Sequence, residues 1–203
     1  YQVAGQLEEI NTWITGHHTV MEKWNLKRIL KPGYRSLFYG PPGTGKTLAA
    51  TLLGKRNQMD VYRVDLSMIV SKYIGETEKN LALVFDLAEN REWILFFDEA
   101  DALFGKRTST QTSNDRHANQ EVAYLLQRIE DFPGTVILAT NLRSNIDEAF
   151  SRRFQSTIFF PMPDEYIRKT LWDKMLPTAW TPRNREELID KIAAYSFSGG
   201  AMT

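Results

Sequence analysis

Short apolar runs alternate with amphipathic stretches along the chain. Ser36 to Tyr39, Val61 to Asp65, Trp93 to Asp98, Thr135 to Thr140 and Ser156 to Phe160 are rich in Val, Ile, Leu, Phe or Tyr and mostly apolar on both faces. Strands buried on two sides in a parallel sheet look like this. Between them, Leu81, Val84, Phe85 and Ala88 recur at i, i+3, i+4, i+7, as do Val122, Leu125, Leu126 and Ile129, which predicts two helices packed on the sheet. The run from Thr47 to Lys55 also fits a helix. The alternation predicts an α/β fold, a five-stranded parallel sheet flanked by helices.

After Pro161-Met162-Pro163 the pattern changes. The prolines stop the fifth strand, Asp164 is placed to cap a helix running to about Met175, and a second helix begins near Arg185 and ends before Ser198-Gly199-Gly200. The expected organisation is an α/β unit over residues 1–161 and a partial helical lid over 162–203, too small to hold a core alone. The polar run Thr108 to Asn114 reads as a loop.

Composition narrows the chemistry. Among 203 residues, 25 Lys and Arg balance 25 Asp and Glu, so a general electrostatic grip on nucleic acid or an anionic membrane is disfavoured. Zero Cys excludes disulfides, thiolate metal sites and cysteine nucleophiles, and three His make a histidine metal centre a poor fit. No apolar run approaches the roughly 18 residues of a membrane span, and no signal peptide is visible, so a cytoplasmic location is expected. The chain opens with Tyr1 and reads as part of a longer protein.

Directly after the first strand stands Gly40-Pro41-Pro42-Gly43-Thr44-Gly45-Lys46-Thr47, followed by Leu48. It matches G-x-x-x-x-G-K-[ST], a pattern that chance produces in roughly one chain of this length in a hundred, and here it lies between a strand and a helix. Glycines let successive N–H groups converge on an anion at a helix N-terminus. In such loops the lysine, here Lys46, reaches the β- and γ-phosphates of ATP and the hydroxyl, here of Thr47, binds Mg²⁺. The second element is the apolar strand Ile94-Leu95-Phe96-Phe97, which ends in Asp98-Glu99. In an open α/β sheet ligands bind beyond the carboxyl ends of the strands, which is where these acids fall. Asp98 suits the Mg²⁺ shell, and Glu99 suits the base that activates water.

Taken together, Gly40 to Thr47 and Phe96 to Asp101 resemble the AAA ATPases, ring-forming machines that use ATP to remodel other molecules. The resemblance covers roughly residues 3 to 203. It implies that Asn141, after the fourth strand, senses the γ-phosphate, and that Arg152 and Arg153 project into a neighbouring subunit's ATP site. It therefore implies a homo-oligomeric, hexameric ring. The alternative for the two arginines is pairing with Asp147 and Glu148. Lys72-Tyr73-Ile74-Gly75 resembles the loop that grips a protein substrate in the ring's pore, although Tyr73 and Ile74 could instead anchor that loop to the core. The run Thr108 to Asn114 sits where a second pore loop would lie. Val3 to Ile10 resembles the segment bordering adenine, and Ser198 to Ala201, with Gly200, the lid element near base and ribose. Lys72 to Asn80 and Phe96 to Arg107 are similar to small bacterial ATPases encoded with contractile injection systems. The function implied is ATP hydrolysis driving protein remodelling. A nucleic-acid motor or clamp loader, disfavoured by zero net charge, and a non-catalytic nucleotide-gated scaffold are the rivals.

Overall fold

The structure, a computed structural model, describes residues 2–26, 29–69, 76–101, 113–141, 148–177 and 184–202, the side chains at 68–69, 76–78, 113–121 and 148–149 aside. The candidate substrate loop Lys72 to Gly75, residues 108–112 of the polar run, and Asp147 lie outside the described residues.

Five strands, β1 (Tyr34–Tyr39), β2 (Val61–Asp65), β3 (Ile94–Asp98), β4 (Thr135–Thr140) and β5 (Ser156–Phe159), form one sheet in the order β2-β3-β4-β1-β5. Every neighbouring pair is parallel. The connections are helical: α1 (Gln2–His18) precedes β1, α2 (Lys46–Asn57) follows it, a short α3 (Leu66–Ile69) and α4 (Glu76–Arg91) follow β2, α5 (Ser113–Asp131) follows β3, and α6 (Glu148–Ser151) precedes β5.

Alternation along the strands divides the interior in two. Leu95 and Phe97 of β3, with Val136 and Leu138 of β4, meet Leu81, Phe85 and Ala88 of α4 and Val122, Leu125, Leu126 and Ile129 of α5. Ile94 and Phe96, with Ile137 and Ala139, face Ala49, Ala50 and Leu53 of α2 and Ile10 of α1. Both predicted helix stripes are thus core.

Three strand boundaries differ from the sequence reading. β1 begins at Tyr34 rather than Ser36, because Tyr34 and Arg35 pair with Thr135 and Val136. Buried Arg35 masked the signal; its guanidinium donates to the carbonyls of Pro32 and Glu130 and to Gln155. β3 begins at Ile94 rather than Trp93, whose N–H instead closes the end of α4 on the Ala88 carbonyl. β5 ends at Phe159, although Phe160 still donates to the Tyr39 carbonyl. Helix α1 was not anticipated. Its buried side, Val3, Leu7, Ile10 and Ile14, has helical spacing, but Gly5 and Gly16 interrupt the pattern with residues that disfavour helix interiors. Arg56 of α2 grips Glu8 of α1, and Asn57 donates to Asn11.

The C-terminal segment is a helix pair, α7 (Glu165–Met175) and α8 (Arg185–Ala193). Asp164 caps α7 by accepting from the Ile167 N–H at 2.7 Å, as its sequence position suggested. Buried Arg168 ties the pair together, donating to the Pro163 and Ala193 carbonyls at 2.7 Å each. A cation at the C-terminal end of α8 is also favoured by the helix dipole. Beyond α8 the chain returns to the sheet: the Gly200 N–H donates to the Gly43 carbonyl at 2.8 Å, joining the C-terminal segment to the loop after β1.

Gly43 makes that approach possible. Its φ is +72°, and a Cβ there would stand 2.4 Å from Ser198 Oγ. In Gly43→Ala, the positive φ is strained and the Ser198 side chain must give way. We expect hydrogen exchange at the Gly200 amide to accelerate about fivefold or more, the equivalent of losing one hydrogen bond worth about 1 kcal/mol. An unchanged exchange rate would show that Gly43 does not govern this junction.

Candidate functional site

The strand order puts β3, β4 and β1 side by side, so the residues that follow their carboxyl ends leave the sheet as neighbours. Those residues are Glu99, Asn141 and the loop beginning at Gly40. The loop curls back over the sheet edge: the Gly40 N–H donates to the Thr140 carbonyl at 3.3 Å, and the Thr44 hydroxyl donates to the Pro41 carbonyl at 2.8 Å. A Cβ on Gly40, whose φ is +145°, would lie 2.1 Å from the Phe160 carbonyl oxygen. Gly45, left-handed at φ 96°, starts α2, so the loop's amides precede a twelve-residue helix. Backbone N–H groups at such a terminus suit an anion.

Lys46 is buried, and its Nζ donates to the Gly40 carbonyl at 2.7 Å, the Pro41 carbonyl at 3.0 Å and Asn141 Oδ1 at 2.9 Å. Burial pulls its pKa down, opposed by the charges of Asp98, Asp101 and Glu99. Lys46 and Asn141, 95 positions apart, are thus in direct contact, and Asn141 also offers Nδ2 to Glu99 Oε2 at 3.5 Å. Lys46, Asn141 and Glu99 are thus linked in one chain of contacts.

Glu99 has φ +55°, a left-handed conformation that glycine tolerates and other residues seldom adopt. Burial raises its carboxyl pKa, and the charges of Asp98, Asp101 and Asp65 add to the rise while Lys46 opposes it. A carboxylate so placed holds a proton more readily than an exposed glutamate, which strengthens it as a base.

Asp101 is a site residue whose role sequence reasoning missed. Its carboxylate accepts from the Thr140 hydroxyl and, at 3.0 Å, from the Asn141 N–H, while the Ala100 N–H donates to the Ala139 carbonyl at 2.9 Å. The tip of β3 is thereby bolted to the tip of β4, and Asn141 is held over Lys46. Its membership of the run Phe96 to Asp101 was the available signal. Arg63 was also missed: on β2, it forms an ion pair with Asp98.

Thr47 and Asp98 supply a hydroxyl and a carboxylate, hard oxygen donors. Among the described residues no group of three His, Cys, Asp or Glu could hold a metal ion. This donor set fits Mg²⁺, which takes one or two protein oxygens and completes its shell with water and phosphate. Beside the loop lies a cavity of about 680 Å³, walled by Thr44, Gly45 and Leu48, by Val3 and Leu7 of α1, by Phe160, and by Leu171 and Gly199 from the C-terminal segment. Its size suits a small-molecule ligand. Gly200, expected near base and ribose, bonds to the loop backbone at Gly43, next to this cavity's Gly199.

Arg152 and Arg153 are elsewhere. They lie between α6 and the start of β5, beside Arg35 at the start of β1, on the sheet edge opposite the loop. The six residues of β1 separate the two edges, roughly 20 Å at about 3.3 Å per residue. Arg153 pairs with Glu130 at the end of α5, a partner that the sequence reading did not foresee.

Residues 36–162 match the family described as ATPase family associated with various cellular activities (AAA). Cell division protein C of Sulfolobus acidocaldarius is 40% identical over 146 residues, 66% of this chain and 38% of that protein. Vacuolar protein sorting-associated protein 4A of Rattus norvegicus is 35% identical over 167 residues, 79% of this chain and 38% of that protein. The chain therefore spans well under half of either relative. A crystal structure of the FIGL-1 AAA domain in complex with ADP is similar with a TM-score of 0.68 over 92% of this chain and 62% of that one, at 23% identity, a likeness of fold. No helix among the described residues is long and apolar enough to cross a membrane. The family match spans both the loop at Gly40 to Thr47 and the contacts that gather Lys46, Glu99 and Asn141, and the chain belongs to the AAA ATPase family.

Proposed function

We propose that this protein is a magnesium-dependent ATPase module that assembles into a ring, hexameric in the family's manner, and remodels a protein substrate. The observation that carries the reading is the division of labour between the two sheet edges. Lys46, Asp98, Glu99 and Asn141 gather at one edge, and Arg152 and Arg153 stand at the other, roughly 20 Å away, where they cannot reach their own loop.

The loop amides bind the phosphates and Lys46 neutralises the β- and γ-oxygens, releasing the loop carbonyls that it now contacts. Thr47 and Asp98 would hold Mg²⁺, which would supply charge stabilisation for phosphoryl transfer. Glu99 accepts a proton from the attacking water, and Asn141, fixed by Asp101, orients that water against the γ-phosphoryl group. The cavity beside Leu48 receives the adenosine, with Gly200 nearby. Arg152 and Arg153 complete a neighbour's site, where a planar cation is worth about 10³ to 10⁵ in rate. Lys72 to Gly75, with Tyr73 as the gripping ring, transmits the work. The relatives' names span cell division and vacuolar protein sorting, so the target is proposed as a polypeptide. The likeness to ATPases encoded with contractile injection systems makes a bacterial protein assembly the candidate.

Glu99→Gln should bind ATP, turn it over about 10² to 10⁴ times more slowly, and accumulate as a ring whose mass is read in solution with and without ATP. A monomer at high concentration with ATP bound would refute the ring. Arg153→Ala should lose turnover by about 10³ while keeping nucleotide affinity and stability, because its ion pair with Glu130 is partly exposed and worth about 1 kcal/mol or less. Mixing it with Lys46→Ala should restore part of the activity, since each supplies what the other lacks. If the mixture stayed as inactive as its components, the arginine would not be acting between subunits. Tyr73→Ala should keep ATP turnover and lose remodelling; remodelling at the wild-type rate would remove this residue from the substrate path.

A further inference from the structure

Asp98 ends β3 with both carboxylate oxygens engaged inside the chain. Oδ1 accepts from the Glu99 N–H at 3.0 Å, and Oδ2 lies 2.7 Å from Nη2 of Arg63. Arg63 stands on β2, an edge strand, opposite Phe96, while Asp65 stands opposite Asp98. Arg63 and Asp98 are therefore diagonal neighbours on one sheet face, a spacing that a long side chain can span.

The surroundings explain why a cation is needed. Four carboxylates crowd the same edge: Asp65 stands opposite Asp98 in the strand register, Glu99 follows Asp98, and Asp101 and Glu99 both contact Asn141. Lys46 is committed to the Gly40 and Pro41 carbonyls and to Asn141. The guanidinium of Arg63 meets Asp98 directly, yet 58% of its side chain is exposed, against 12% for Asp98. A pair with one partner so open to water is weak, and its stem can swing into solvent at little cost.

We propose that Arg63 is an exchangeable counter-ion of Asp98, neutralising the carboxylate in the nucleotide-free site and yielding Oδ2 when Mg²⁺ arrives with nucleotide. The inference rests on the magnesium–nucleotide reading above. Arg63 does not touch the reacting atoms; it is a positioning residue that sets how much magnesium is needed to fill the site. Arg63 and Mg²⁺ would compete for the charge of one carboxylate, so the arginine raises that requirement while offsetting the repulsion within the acidic edge.

The test titrates Mg²⁺ into the full chain with a fluorescent ADP analogue, for the wild type, Arg63→Gln, Arg63→Lys and Asp98→Asn, and measures analogue affinity in EDTA in parallel. Arg63→Gln should lower the half-saturating magnesium concentration about two- to fivefold, the range for a largely exposed ion pair, with EDTA affinity within about twofold. Arg63→Lys, which keeps the charge, should fall between. In the Asp98→Asn background, exchanging Arg63 should have no further effect. An unchanged or raised magnesium requirement in Arg63→Gln, with EDTA affinity intact, overturns the role of Arg63 alone. If the wild type binds no analogue with or without magnesium, the nucleotide reading fails and the counter-ion role falls with it.

Discussion

Parallel pairing matches Tyr39 of β1 to Thr140 of β4, so the loop after one strand and the side chain after the other leave the sheet together. Everything at the candidate site depends on that register. A slip of one residue would turn Leu37 and Leu138 toward the wrong layer, exchanging two buried cores. The register that packs Phe97 and Leu138 on one face and Phe96 and Ile137 on the other is therefore the same one that puts Asn141 within 2.9 Å of Lys46. Contrary to the expectation for all five strands, only β1, β3 and β4 are buried on both faces, while the edge strands β2 and β5 are partly exposed. That burial of the central strands makes the geometry of the site a by-product of core packing.

Strand pairing does not fix the last two residues beyond a strand end, and here polar contacts take over. Asp101 reaches from the tip of β3 to Thr140 and the Asn141 N–H, and Glu99, between Asp98 and Ala100, is forced into the left-handed region. Four carboxylates at one edge would repel one another, and the cations facing them are not equivalent. Lys46 is buried and held by loop carbonyls, while Arg63 is half in water. The buried cation suits a fixed role toward phosphate. The exposed one suits a role that ends when another cation comes.

Much of this was legible in the sequence, for reasons that can be named. The doubly apolar central strands announce a parallel sheet whatever their tertiary neighbours, and the stripes at Leu81 to Ala88 and Val122 to Ile129 proved to be the layer over Leu95 and Phe97. The loop was legible because its glycines are dictated by backbone conformation, a local property; Gly40, Gly43 and Gly45 all have positive φ. What could not be read depends on contacts between distant residues. Arg35 looks like a charged interruption of β1 until Gln155 and two carbonyls are found around it, 95 and 120 positions away for Glu130 and Gln155. Arg63 looks like a solvated strand residue until Asp98 is placed diagonally across from it. Helix α1 has its stripe in the sequence, but two glycines and a polar face hid it, and only packing against the second core pays for its order.

Zero net charge acquires a physical meaning from where the charges sit. The carboxyl edge of the sheet gathers acids around Asp98, and the opposite edge gathers Lys31, Arg35, Arg152 and Arg153 around Glu130. If the chain assembles as proposed, a basic edge of this kind would face the triphosphate held by the next subunit, and such head-to-tail contact closes into a ring when its rotation allows. Within the single chain, Glu130 occupies Arg153. In the ring proposed above, a triphosphate in the neighbour would compete for the same guanidinium with greater charge, so engagement of the arginine would depend on what the adjacent site holds, and nucleotide state would pass from subunit to subunit by exchange of ion-pair partners.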